Sequence, residues 1–132
     1  MATFEGTHAL IVEDTFTDAE ILKFLLERLG MSHLIVSQVS QVNDALAQAS
    51  RPDVIFLDLE LPDGSGYQIL EALQAAPDLM DIPVVAYTSH NSEMATARAK
   101  GFHSFLGKPL KQEHFPGQMG KILNNEAVWE VR

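Results

Sequence analysis

Short apolar runs alternate along the chain with segments in which apolar residues recur at helical spacing. The apolar runs occupy residues 8–12, 34–39, 54–57, 82–87 and 104–106. The first, third and fourth runs are nearly continuous, which is typical of strands that are covered on both faces. The pattern therefore predicts five strands, with a helix between each strand and the next.

A segment that predicts a helix follows each apolar run. The first has a capping box at Thr17 and Glu20 and ends at Gly30. The five predicted helices cover residues 17–29, 42–49, 67–73, 94–99 and 115–123. This (βα)5 alternation predicts the α/β class, a doubly wound parallel sheet of five strands with helices on both faces.

Composition and charge narrow the possible function classes. The chain has 132 residues, which fits a single domain. Its 18 Asp and Glu against 9 Lys and Arg give a net charge of −9, which argues against nucleic acid and anionic membranes as partners. Zero cysteines exclude disulfides and thiolate metal sites. The sequence shows no secretion signal, and no apolar run approaches the ~20 residues of a membrane span.

Chemically active side chains collect at the carboxyl ends of the predicted strands. Glu13 and Asp14 follow the first strand, Asp58 the third, Thr88 the fourth and Lys108 the fifth. Ligand sites of open α/β sheets lie beyond these strand ends, so the five side chains are expected to converge. Each residue alone also fits an ordinary turn, cap or surface role. Together, the carboxylates suit Mg²⁺, and a carboxylate beside a metal and a lysine can accept a phosphoryl group.

Four segments give the chain a resemblance to a known family. They are Val12-Glu13-Asp14, Asp58-Leu59-Glu60-Leu61-Pro62-Asp63-Gly64-Ser65-Gly66, Tyr87-Thr88-Ser89 and Lys108-Pro109. In this order they resemble the response-regulator receiver domain, the CheY-like family with a flavodoxin-like fold, over residues 7–124. The resemblance implies the strand order 2-1-3-4-5. It makes residues 1–132 a single receiver domain in which residues 125–132 form a tail.

The resemblance implies a role for each matching residue. Asp58 matches the phosphoacceptor, while Thr88 and Lys108 match the groups that bind the phosphoryl oxygens. The expected Mg²⁺ ligands are Glu13, Asp14, Asp58 and the backbone carbonyl of Glu60. Thr88 and Phe105 match the pair that switches conformation. A cis peptide bond between Lys108 and Pro109 is also implied.

Some positions bear on how such a site would behave. Glu60 and His90 occupy positions that tune phosphoryl lifetime in the family, so the motif does not fix that lifetime. Phe105 lacks the hydroxyl of tyrosine and cannot donate a hydrogen bond when exposed. Gly64 or Gly66 is expected to supply a positive φ in the turn after Asp58.

The expected function is two-component signal transduction. A histidine kinase or phosphotransfer protein would phosphorylate Asp58. This would switch a face made of the fourth helix, fifth strand and fifth helix, for an unknown downstream protein or a homodimer. We expect the domain to lie in the cytoplasm. We also expect that it is not an enzyme, apart from catalysing its own phosphorylation and dephosphorylation. The short segment before the first strand favours a stand-alone regulator over a fragment of a longer one.

Two alternative functions stay open on the sequence. The first is a phosphate-independent interaction domain, which keeps the receiver fold but has a silent site. The second is an Mg²⁺-dependent phosphohydrolase with an aspartyl nucleophile, because such enzymes carry a second acid two residues after the nucleophile and Glu60 lies there. The chain has little room for the substrate cap of those enzymes.

Overall fold

A computed structural model describes residues 4–48 and 51–130. Its strands are β1 (His8–Val12), β2 (Ser32–Val36), β3 (Val54–Leu57), β4 (Glu60–Leu61), β5 (Gly64–Ser65), β6 (Val84–Thr88), β7 (Ser104–Gly107) and β8 (Trp129–Glu130). Its helices are α1 (Phe16–Arg28), α2 (Val42–Gln48), α3 (Gly66–Gln74), α4 (Met94–Lys100) and α5 (Phe115–Leu123). Ala49, predicted as the last residue of the second helix, lies outside the described residues.

A parallel sheet forms the centre of the fold. Among the described residues it has six strands in the order β2-β1-β3-β6-β7-β8. The first five of these are the predicted strands in the order that the resemblance implied. The separate antiparallel pair of β4 and β5 was not predicted.

Both faces of the sheet are covered, which explains the continuous apolar runs. In β1, Ala9 and Ile11 face a core layer shared with α1 and α5. The intervening Leu10 and Val12 face a second layer, shared with α2, α3 and α4. Because successive strand residues point to opposite faces, a strand buried on both sides must be apolar at every position.

Several element boundaries differ from the predicted ones, and hydrogen bonds explain two of these differences. The predicted capping box at Thr17 is wrong, because α1 begins at Phe16 and its N-cap residue is Thr15. The Thr15 carbonyl accepts the first helical hydrogen bond, from the Ala19 amide (3.0 Å). The second strand ends at Val36 rather than residue 39. There the Gln41 side-chain oxygen accepts from the Ser37 amide at 2.8 Å and turns the chain into a short 3-10 helix.

The expected tail is the main correction to the fold. The structure places Trp129–Glu130 in the sheet as β8, parallel to β7, with Phe105 paired to Trp129. Its sequence signal is weak because the two residues described in the strand are too few to show an alternation of apolar and polar positions. No helix in the described ranges has the length and apolar character needed to cross a bilayer.

Candidate functional site

The predicted site residues converge at the carboxyl edge of the sheet. Glu13 follows β1, Asp58 follows β3, Thr88 ends β6 and Lys108 follows β7. Glu13, Asp58 and Thr88 are buried, whereas Asp14 is exposed at the rim. The site is therefore a cleft of about 390 Å³ with buried polar groups at its bottom and an open mouth.

Lys108 links the acidic groups at the base of the cleft. Its Nζ lies 2.6 Å from Glu13 Oε1, 2.9 Å from Asp18 Oδ2 and 3.6 Å from Asp58 Oδ2. It also lies 4.7 Å from the centroid of the Tyr87 ring, a cation–π distance. The peptide bond between Lys108 and Pro109 is cis, as the resemblance implied.

Burial and charge shift two ionisations in this cluster. Burial raises the pKa of Glu13 from 4.5 to about 7, although the Lys108 ammonium and the Thr15 amide oppose the rise. The neighbouring Asp58 carboxylate adds to it. Burial alone would lower the pKa of Lys108, but the carboxylates of Glu13 and Asp18 outweigh burial and raise it. Lys108 is therefore a permanent cation, and the protonation of Glu13 changes near neutral pH.

Asp18 is a member of the cluster that the sequence did not reveal. It lies between Thr17 and Glu20 of the predicted capping box, and its side chain accepts a hydrogen bond from Lys108 (2.9 Å). Its backbone carbonyl accepts one from the Tyr87 hydroxyl (3.0 Å), so α1 is tied to β6. The signal was an acid in the first turn of the helix that follows the first strand, but only the packing of α1 reveals its partner.

The segment after Asp58 is shaped by close packing. A Cβ atom on Gly66 would lie 2.4 Å from the Asp58 carbonyl oxygen. Neither Gly64 nor Gly66 is among the positive-φ glycines, so the predicted conformational role is wrong. Gly66 is required because the start of α3 approaches the backbone of Asp58, with the Gly66 amide donating to the Leu59 carbonyl (3.1 Å).

Two further residues lie at the rim of the cleft. The Nε2 atom of His90 lies 3.1 Å from Oε1 of Glu60, and both side chains are largely exposed. The His90 amide donates to the Thr88 hydroxyl oxygen (3.1 Å), which leaves the hydroxyl hydrogen available to another acceptor. Phe105, the expected switch aromatic, is fully buried on β7.

The donor set suits a hard divalent cation. One carboxylate oxygen from each of Glu13, Asp14 and Asp58 lies within 4.8 Å of the others. These are oxygen donors without sulfur or nitrogen, and the exposed Asp14 leaves room for the waters that Mg²⁺ retains. The residues present therefore fit Mg²⁺.

Comparisons with known proteins agree with this geometry. The family model described as the response regulator receiver domain matches residues 9–118. The polar-differentiation response regulator DivK of Brucella anthropi is 29% identical over 108 residues, 80% of this chain and 87% of DivK. The regulatory protein LuxO of Vibrio vulnificus is 34% identical over 120 residues, 89% of this chain but 25% of LuxO.

A solved structure gives the same fold at low identity. The receiver domain of a sensor histidine kinase, PA1611 from Pseudomonas aeruginosa PAO1, aligns with a TM-score of 0.80. The alignment covers 90% of this chain and 98% of that one, at 22% identity. That protein holds a magnesium ion coordinated in its active-site cleft.

Proposed function

The chain belongs to the response-regulator receiver domain family, and from this membership we propose that Asp58 accepts a phosphoryl group. The observation that carries the proposal is the ammonium of Lys108, whose side chain is 9% exposed and which lies 3.6 Å from Asp58 Oδ2 at the bottom of the cleft. A cation held there can neutralise the negative charge around a transferring phosphoryl group.

The proposed reaction is an in-line displacement at phosphorus. A carboxylate oxygen of Asp58 forms the new P–O bond while the P–N bond of a phosphohistidine donor breaks. The electron pair of the broken bond stays on the departing imidazole nitrogen, which takes up a proton. The Lys108 ammonium and the free hydroxyl hydrogen of Thr88 donate to the phosphoryl oxygens.

Receiver domains bind Mg²⁺ in their active site, and we propose Glu13, Asp14 and Asp58 as the ligands here, with the Glu60 carbonyl. When bound, the ion supplies additional positive charge for the phosphoryl oxygens. The magnesium ion in the active-site cleft of the Pseudomonas aeruginosa receiver domain supports a magnesium site in this cleft. Glu13 must release its proton to bind a cation, so binding is expected to strengthen as pH rises through neutrality.

The signalling role follows from the family. Receiver domains are regulatory phosphoacceptors that interact with histidine kinases or phosphotransfer proteins and with effectors. We propose a histidine kinase or phosphotransfer protein as the donor, and a switched face formed by α4, β7 and α5. An output by binding a downstream protein or by homodimerisation stays a prediction, as do a cytoplasmic location and the absence of other enzymatic activity.

Intact mass spectrometry after incubation with acetyl phosphate tests the proposal. We expect a gain of one phosphoryl group that requires Mg²⁺ and is lost in Asp58→Asn. Asp63→Asn is the matched control, since Asp63 is an exposed acid that is not among the residues lining the cleft and whose carboxylate accepts the Val39 amide (2.7 Å). That variant should be phosphorylated like the wild type.

Two results would contradict the proposal. A gain of mass that persists in Asp58→Asn would place the acceptor elsewhere. No gain from acetyl phosphate or from a panel of histidine kinases would favour the phosphate-independent interaction domain instead.

A further inference from the structure

The strand β8 occupies the face that the proposed function assigns to output. It extends the sheet along the outer edge of β7. The Trp129 ring lies under the guanidinium of Arg98 from α4, with 5.0 Å between the guanidinium carbon and the ring centroid. The side-chain amide of Gln118 from α5 donates to the Glu130 carboxylate at 2.5 Å. The strand thus contacts α4, β7 and α5 together.

The same segment closes the edge beside Phe105. The Phe105 amide donates to the Val128 carbonyl (2.8 Å), and the Val128 amide donates to the Ser104 hydroxyl (2.9 Å). Val128 is 5% exposed in the core layer that contains α5, while Trp129 packs against the opposite layer, which contains Phe105. Phe105 is fully buried with β8 in place.

Within residues 4–48 and 51–130, the attachment of β8 to β7 is short. Two residue pairs, Phe105 with Trp129 and Leu106 with Glu130, make the described ladder between β7 and β8. An edge strand of this length can open locally while the rest of the sheet stays folded, because few backbone hydrogen bonds must break. The edge it would uncover has unpaired backbone groups, which are a template for another extended segment.

We propose that β8 is an intrachain ligand of the output face, which blocks the edge of β7 until phosphorylation releases it. The proposal rests on the proposed function for the release step. Thr88 ends β6 and pairs with Gly107 at the end of β7, next to Lys108. A phosphoryl group that draws Thr88 and Lys108 toward Asp58 acts on β6 and also on β7, the strand that contains Phe105. Because β8 pairs with Phe105 and Leu106 in the present position of β7, a shift of β7 weakens that pairing and favours the state in which β8 is released. A partner that adds an extended strand competes with β8 for this edge.

The covering of the edge can be tested without phosphorylation, by amide hydrogen exchange on two full-length variants. Trp129→Ala removes the ring under Arg98, and Trp129→Phe keeps an aromatic ring there. We expect the Phe105 amide to exchange at least about tenfold faster in Trp129→Ala, with little change in Trp129→Phe. Amides of β1 should keep wild-type protection in both variants, which excludes global unfolding. Equal protection of Phe105 in all three proteins would overturn the proposal.

The release step has its own readout, because Trp129 is the single tryptophan of the chain. After phosphorylation with acetyl phosphate and Mg²⁺, verified by intact mass, we expect red-shifted Trp129 emission and faster exchange at Phe105. Phosphorylated protein with unchanged emission and exchange would overturn the release. Absence of a mass gain both with acetyl phosphate and with a panel of histidine kinases would overturn the proposed function and the release with it. The exchange experiment on the unphosphorylated variants would still decide whether β8 covers the edge.

Discussion

A pair of glycine substitutions tests how tightly the segment after Asp58 is packed. Gly66 and Gly117 both lie in the first turn of a helix, α3 and α5 respectively. A Cβ atom at Gly66 would lie 2.4 Å from the Asp58 carbonyl oxygen and 3.3 Å from the Leu59 Cα. A Cβ atom at Gly117 would meet nothing within 4 Å. The same substitution to alanine is therefore expected to have opposite effects at the two positions.

The expected magnitudes follow from the two environments. In Gly66→Ala the obstacle is backbone, which cannot rotate away, so we expect a loss of about 2 kcal/mol of unfolding free energy. For a domain of this size that loss lowers Tm by roughly 8 °C. In Gly117→Ala the new methyl group restricts the unfolded chain and favours the helix, so we expect a gain of about 0.5–1 kcal/mol.

Urea denaturation and the rate of acetyl phosphate labelling measure the two consequences. Gly66→Ala moves the backbone that carries Asp58, so we also expect slower labelling, whereas Gly117→Ala should label at the wild-type rate. If Gly66→Ala were as stable as the wild type and labelled equally fast, the backbone of Asp58 and Leu59 would move aside for the new Cβ atom at little cost. The steric reasoning would then be refuted.

Three further predictions concern the cluster and its support. In Mg²⁺-free protein, folding raises the pKa of Glu13 from 4.5 to about 7, so the folded state holds a proton that the unfolded state has released. The free energy of unfolding should therefore fall as pH rises from 4.5 to 7, and Glu13→Gln should flatten that slope in urea titrations. Lys108→Met leaves buried carboxylates without their cation and should cost about 3 kcal/mol, while the exposed Lys111→Met should change the urea midpoint little. Ser65→Ala removes the hydroxyl that accepts a hydrogen bond from the backbone amide of Gln68 at the start of α3. It should lower the free energy of unfolding by about 1 kcal/mol, which thermal melts would detect. An unchanged dependence of stability on pH in Glu13→Gln would contradict the first prediction. An unchanged urea midpoint in Lys108→Met would contradict the second, and an unchanged Tm in Ser65→Ala would contradict the third.

The alternation of elements could be predicted from the sequence because its causes are local. A strand buried on two faces must be apolar at every position, and helical spacing reports one buried face. The strands β1 and β3 and the helix α5 accordingly have the predicted bounds. The residues that follow β1, β3 and β7 were also readable, since parallel strands place their carboxyl ends at one edge.

Interactions between distant segments could be decided only by the tertiary structure. Asp18 accepts a hydrogen bond from Lys108, 90 positions away in the chain. Gly66 is required because the Asp58 carbonyl approaches it, and the sequence around Gly66 does not reveal that approach. The strand β8, of which Trp129 and Glu130 are described, forms because β7 offers an open edge beside α4 and α5. Local propensity and periodicity determine the longer strands and the helices, whereas short strands and the contacts of side chains depend on where the fold brings distant segments together.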